Sequence, residues 1–189
     1  MGGILVMNSL VIDTATNRTS CALFVEDRII FSAFHEGATE HAEALPKLVA
    51  KALAISNQID QVIVGMGPGP FTGLRVGIVF AQSFAGARNI PWLGVCSLDG
   101  IVIEEDEYIV ATDARRKEVY WAHFKSGQRV SGPFVAAPSE LDSKTEKVFG
   151  ITDPVYPDPS KLLNVAKVSQ IDEPLYLRRP DAVPTSERR

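Results

Sequence analysis

The segment with the greatest scope for chemistry is the run GMGPGPFTGLRVG at positions 65–77. Its glycines permit positive φ and close approach by another backbone, Pro68 and Pro70 stiffen the turn, and Thr72 is placed to cap the following helix. Such a loop either packs tightly on its own domain or forms a docking surface for another backbone or an anion. It fits neither the dinucleotide-binding nor the P-loop pattern, because the third glycine of the first and the Gly-Lys-Ser/Thr of the second are missing.

The cysteines and histidines supply little further chemistry. Cys21 and Cys96 lie in apolar surroundings without a Cys or His at metal-ligand spacing, so we expect reduced, buried packing residues. His35, His41 and His123 are scattered and form no His-x-x-x-His pair. The sequence therefore predicts no metal site.

Composition limits the class of protein. The chain has 189 residues, 46% of them hydrophobic, which is enough for a core in one domain or in two small lobes. Its net charge of −4 argues against a surface that binds nucleic acid mainly through phosphate contacts. The sequence shows no secretion signal and no apolar stretch of about 18 residues. We therefore expect a cytoplasmic protein without membrane contact.

Hydrophobic periodicity predicts the order βββαβαβ in the first half of the chain. Helical spacing indicates helices at 39–56, with Thr39 as the expected cap, and at 72–88. Short runs bounded by polar turns indicate strands at 9–13, 19–25, 28–34, 59–64 and 92–95.

A similar order restarts in the second half. Shifting the chain by 100 residues superposes Asp13 on Asp113, each at the end of a predicted strand, which indicates an internal duplication. Each aspartate can also simply accept hydrogen bonds from its own turn. The predicted elements are strands at 108–113, 117–124, 129–135 and 147–149, a helical turn at Ser139 and a helix at 160–168.

The second predicted helix carries a stripe of small residues at every fourth position: Gly73, Gly77, Ala81 and Ala85. Glycine in a helix costs about 0.5–1 kcal/mol relative to alanine, so the stripe needs a compensating contact. Either the chain's own sheet and first helix or a partner subunit could supply it, and spacing alone does not choose.

Duplicated βββαβα lobes facing each other across a cleft resemble the ribonuclease H-like fold of the actin, sugar-kinase and Hsp70 group. In that group, a strand-end aspartate in each lobe organises metal and phosphate, with glycines beside it. Neither turn here contains a glycine, since Asp13 precedes 14–17 and Asp113 precedes 114–117. A strong independent ATPase or small-molecule kinase is therefore disfavoured, although this activity stays the main alternative function for the chain.

Several motifs resemble the TsaB (YeaZ) family, and the resemblance runs from the first strand to about residue 182. They are Ile12-Asp13-Thr14, Glu40-His41-Ala42-Glu43, the run 67–77, Gly94-Val95-Cys96-Ser97-Leu98, Asp113-Ala114-Arg115, Val119-Tyr120-Trp121 and Pro174-Leu175-Tyr176-Leu177-Arg178.

The family resemblance implies a subunit that has no activity of its own. It would be required for N6-threonylcarbamoyladenosine (t6A) at adenosine 37 of tRNA, as the dimerization partner of the catalytic subunit TsaD. The relative TsaD carries a His-x-x-x-His metal pair, and the aligned positions here hold Ser97 and Ile101, which are poor ligands. A peptidase, the older interpretation of this group, would need a metal pair or an activated nucleophile, and neither is evident.

The resemblance further implies that TsaD pairs with the first two helices. The expected interface residues are His41, Leu45, Leu48, Gly73, Arg75, Gly77, Ala81 and Ala85. We expect a bulky residue at position 77 or 81 to abolish pairing and leave the fold intact.

Other partners are implied by the resemblance as well. They are the ATPase TsaE, tRNA reached through the complex, and a second copy of the chain when it is alone. No resident cofactor is expected, although an adenine nucleotide at the heterodimer junction would lie near Asp13, Thr14 and Asp113.

The expected division is an N-terminal lobe at 1–103 with the partner-binding helices, a C-terminal lobe at 104–182 and a disordered tail at 183–189. The region 138–160 is rich in proline and leaves little room for a full set of helices, so we expect the second lobe to be reduced.

Overall fold

The structure is a computed structural model that describes residues 7–141 and 144–178. The predicted tail at 183–189 lies outside the described residues. Two sheets organise the chain, the first from residues before 96 and the second from residues after 106.

The first sheet has five strands in the order β3-β2-β1-β4-β5. β1 runs parallel to β4, which runs parallel to β5, whereas β2 is antiparallel to both β1 and β3. The strands are β1 (Ser9–Asp13), β2 (Arg18–Val25), β3 (Arg28–Glu36), β4 (Gln61–Gly65) and β5 (Trp92–Val95).

Two long helices cover one face of this sheet. They are α1 (His41–Ile55) and α2 (Phe71–Arg88). Successive strand residues point to opposite faces, so Leu10 and Ile12 of β1 join the core under these helices and Val11 lies on the other side. The inner strands β1 and β4 are therefore buried on both faces, whereas the edge strand β3 is largely exposed.

The second sheet repeats part of the first, with the order β8-β7-β6-β9 and the same pattern of parallel and antiparallel pairs. A four-residue helix, α3 (Pro138–Leu141), stands where the first half has the fifteen-residue α1. The strands are β6 (Glu107–Asp113), β7 (Val119–Lys125), β8 (Gln128–Ala136) and β9 (Lys147–Phe149). The predicted duplication and the reduction of the second half are both confirmed.

The last helix returns to the first sheet. α4 (Pro159–Ala166) packs Leu162, Leu163 and Val165 against Val11 and its neighbours on the face opposite α1 and α2. Beyond α4, the Ile171 N–H donates to Gly94 O at 2.9 Å. The expected lobe at 104–182 therefore needs correction, since its final part packs as a layer of the first.

Both predicted helix caps are wrong. α1 begins after Glu40 rather than at Thr39, and α2 begins after Pro70, which leaves Thr72 inside the first turn. Neither cap residue makes a side-chain hydrogen bond to its helix. Pro70 fits this position because its fixed φ suits a helix start.

The two cysteines are free and buried, as predicted, and burial raises the pKa of each thiol to about 12. Among the described residues, no helix is both long and apolar enough to cross a membrane.

Candidate functional site

The small-residue stripe of α2 lies inside the chain. Gly73, Gly77, Ala81 and Ala85 are all buried. A Cβ at Gly73 would stand 2.8 Å from Thr14 O, and one at Gly77 would stand 2.5 Å from Thr14 Oγ1. The stripe therefore lets α2 approach the turn after β1, and the expectation that it faces a partner is corrected.

The expected interface residues of α1 are also internal. His41, Leu45 and Leu48 are at most 6% exposed. The His41 Nδ1 lies 2.7 Å from Thr19 Oγ1, and burial, together with the nearby charge of Arg115, lowers the pKa of the imidazole. Of the predicted interface set, only Arg75 is exposed.

The outer faces of the same two helices form an apolar groove of about 580 Å³, which we call the α1–α2 groove. Val79 is 52% exposed there, and the Arg75 guanidinium lies 5.2 Å from the centre of the Phe71 ring at one end. The groove is lined by Ala42, Pro46, Phe71, Thr72, Arg75, Val76, Val79, Phe80 and Ser83.

Sequence reasoning missed this groove, although α2 carries a sign of it. The stripe of small residues lies on one face of α2, whereas Val76, Val79 and Phe80 lie on the other. Apolar residues on a second face of a helix, beyond the face that packs on its own core, indicate a second contact surface.

The glycine loop before α2 is a docking surface for this chain's own backbone. A Cβ at Gly69 would stand 2.3 Å from Ala15 O, so only glycine permits the approach of the turn after β1. Tyr120, which lies on β7 of the second sheet, donates its hydroxyl hydrogen to Gly69 O, and the two oxygens are 3.2 Å apart. The loop thus joins three parts of the molecule.

Asp13 lies at the bottom of this junction. Its side chain accepts hydrogen bonds from Ser97 Oγ at 2.6 Å and from the Ala15 N–H at 2.9 Å. A Cβ at Gly65 would stand 1.7 Å from Asp13 Oδ2, so the carboxyl occupies the space that glycine leaves. Burial raises its pKa to about 6, against the opposing effect of the Ser97 hydrogen bond.

The three residues predicted near a nucleotide do not converge. Asp13 and Thr14 are buried, and Thr14 Oγ1 donates to Gly73 O at 2.8 Å. Asp113, by contrast, is exposed and lines a cleft of about 500 Å³ between the two halves, next to Arg115 and Pro70. Asp13 therefore cannot share this cleft with Asp113 as a metal-binding pair.

The two positions aligned with a metal pair hold no ligand set. Ser97 is fully buried, donates to Asp13 and accepts the Gly67 N–H at 3.2 Å. Ile101 is buried in the core between the 3-10 helix Ser97–Gly100 and the second sheet. These side chains serve packing and internal hydrogen bonding.

The repeated strand order, with helices on both faces of the first sheet, defines an α/β protein of the actin-like class. The solved structure of YeaZ from Pseudomonas aeruginosa is similar with a TM-score of 0.72 and 25% identity, over 90% of this chain and 100% of that one.

Sequence comparison gives the family. The family model described as "TsaD: tRNA N6-adenosine threonylcarbamoyltransferase" matches residues 35–180. An Escherichia coli protein named tRNA threonylcarbamoyladenosine biosynthesis protein TsaB is 34% identical over an alignment of 131 positions, which covers 63% of this chain and 55% of that protein. The chain belongs to this family, in its TsaB (YeaZ) branch.

An uncharacterized protein of Mycobacterium leprae is 40% identical over an alignment of 200 positions that covers 93% of this chain. The chain spans 56% of the length of that relative.

Proposed function

We propose that the chain is a non-catalytic subunit in the formation of t6A on tRNA, and that it docks on the catalytic TsaD-type transferase through the α1–α2 groove. Family membership supports the pathway. The groove is the observation that carries the docking proposal, because it exposes apolar side chains on the two longest helices.

Two features support the absence of a separate activity. Asp13 is engaged with Ser97 and Ala15 beneath the glycine loop, so it is unavailable to hold a metal–phosphate group as in actin-like ATPases. The Ser97 hydroxyl donates to a carboxyl rather than to a histidine, which offers a peptidase no activated nucleophile.

The remaining partners belong to the same proposal. TsaE would join the complex, tRNA would be bound through it, and two copies of the chain would pair through the α1–α2 groove when the transferase is absent. An adenine nucleotide at the junction would lie on the Asp113 side of the cleft, away from buried Asp13 and Thr14.

The test is co-purification of the transferase with groove variants. Val79→Glu places a charge in the groove, and we expect it to remove co-purification because burying an unpaired carboxylate is costly. Val130→Glu is the matched control, since Val130 is 53% exposed on β8, far from the groove in sequence and fold.

Both variants should unfold at the wild-type temperature, because each change lies on an exposed side chain. Full recovery of the transferase with Val79→Glu would overturn docking through the groove.

A further inference from the structure

A His–carboxylate cluster lies on the second sheet, away from the α1–α2 groove. Glu107 is the first residue of β6, His123 lies on the neighbouring β7, and Glu146 immediately precedes β9 on the other side of β6. The His123 Nε2 lies 3.1 Å from Glu107 Oε1 and 3.8 Å from Glu146 Oε1, and one atom from each residue lies within 4.8 Å of the others.

The spacing fits a small dication. With bonds of about 2.0–2.1 Å, neighbouring ligand atoms around a tetrahedral Zn²⁺ stand about 3.4 Å apart. The two distances from His123 Nε2 bracket this value. An imidazole nitrogen and carboxylate oxygens are also the ligand types that Zn²⁺ accepts, and two carboxylates balance its charge.

The surroundings leave the three donor atoms in place. Lys125 Nζ lies 3.0 Å from Glu107 Oε2, so the lysine ammonium group pairs with one oxygen of this carboxylate. The other oxygen, Oε1, faces His123. The side chains of His123 and Glu146 are 19% and 23% exposed, so an ion could reach them from solvent. An ion pair between a protonated His123 and the two carboxylates is the competing explanation.

We propose that Glu107, His123 and Glu146 bind a transition-metal dication of the Zn²⁺ type, which fastens β9 to the second sheet. β9 has three residues and pairs only with β6 among the described strands. A metal that joins Glu146 to β6 and β7 would stabilise the position of β9 on the second sheet. The neighbouring helix α3 has only four residues and is too short to do this by packing. No spacing in the sequence predicted this group, because its members come from two strands and from the residue before a third, far apart along the chain.

The experiment is a Zn²⁺ titration of tag-free, chelator-treated protein, followed by calorimetry and by thermal unfolding. We expect saturable binding of one ion and a higher unfolding temperature. His123→Ala and Glu146→Gln should each weaken binding by about tenfold or more, since even outer-shell partners are worth that much.

The matched control is His35→Ala. His35 pairs with Glu40 at 2.7 Å on the first half of the chain, so the variant removes a two-residue His–carboxylate pair of similar chemistry. We expect it to keep the wild-type response to Zn²⁺. The proposal is overturned if the wild type does not respond, or if His123→Ala and Glu146→Gln respond as the wild type does.

Discussion

Asp13 shows how one carboxyl can organise a junction without doing chemistry. It lies at the end of β1, in the space left by Gly65, and connects through Ser97 to the glycine loop. In a phosphate-binding relative this position would need to be open to the cleft. Here the group is covered, which raises its pKa to about 6 and gives it a structural role.

Replacing this carboxyl should change how stability depends on pH. Because the pKa of Asp13 is about 6 in the folded chain against 3.8 ordinarily, the folded state holds more protons than the unfolded state between these values. Stability from this group is therefore present at low pH and lost as pH rises through 6. Relative to Asp13→Asn, the wild type should lose about 3 kcal/mol of unfolding free energy across the window.

Urea unfolding at a series of pH values measures this difference. Ser97→Ala is a useful second variant, because the Ser97 hydrogen bond lowers the pKa of Asp13 and its loss should move the transition to higher pH. A wild-type minus Asp13→Asn difference that stays constant from about pH 4 to pH 7 would contradict the assignment.

At the scale of elements, α2 has two apolar faces with different roles. Its small residues approach the turn after β1, and Thr14 Oγ1 donates to Gly73 O at 2.8 Å across this contact. Its larger residues, Val79 and Phe80 among them, line the α1–α2 groove. One helix therefore joins the core to the surface where we place the partner.

Two glycine substitutions on α2 should have opposite effects on the free energy of unfolding, because Gly77 packs against Thr14 and Gly86 faces open space. Gly77→Ala should destabilise the fold by about 1–3 kcal/mol, because its Cβ would stand 2.5 Å from Thr14 Oγ1. Gly86→Ala should stabilise it by about 0.5–1 kcal/mol, because no atom lies within 4 Å of a Cβ there and alanine favours the helix.

Thermal or urea unfolding of both variants and of the double variant Thr14→Ala/Gly77→Ala checks this prediction. The double variant should be less destabilised than the sum of its single changes, since removing the hydroxyl makes room for the new methyl group. Equal stabilities for the two glycine variants would contradict internal packing of the stripe.

Much of the element order was predictable, because short apolar strands bounded by polar turns and apolar residues at helical spacing leave recognisable periodic patterns. β1, β5 and β9 begin and end at the residues that the sequence pattern predicts. The helix starts were not predictable from cap residues, since Pro70 outweighs Thr72 at α2. Likewise, local periodicity gave no indication that α4 would pack on the first sheet, because that contact is long-range.

At the scale of the whole molecule, side chains from both halves hold the cleft together. The Arg18 guanidinium lies between the rings of Phe34 and Tyr156, at 4.0 Å and 3.6 Å from their centres. Within the second half, Arg178 donates to Ala114 O and forms an ion pair with Glu118 at 2.9 Å. The Arg18 contact with Tyr156, together with the packing of α4 on the first sheet, connects the two halves.

The candidate interface was predictable only in part, and burial explains why. The sequence indicated the two helices whose outer faces line the α1–α2 groove but selected their inner residues, such as Leu45 and Gly77. Small and apolar residues favour close packing whether the neighbour is the same chain or another. Only the tertiary contacts distinguish the buried stripe from the exposed Val79.

The most direct measurement is the t6A content of tRNA, by mass spectrometry of digested nucleosides, in cells whose gene for this chain is deleted and then complemented. We expect the modification to be lost on deletion, restored by the wild type and by Val130→Glu, and not restored by Val79→Glu at equal protein levels. Normal t6A after deletion would contradict the proposed role.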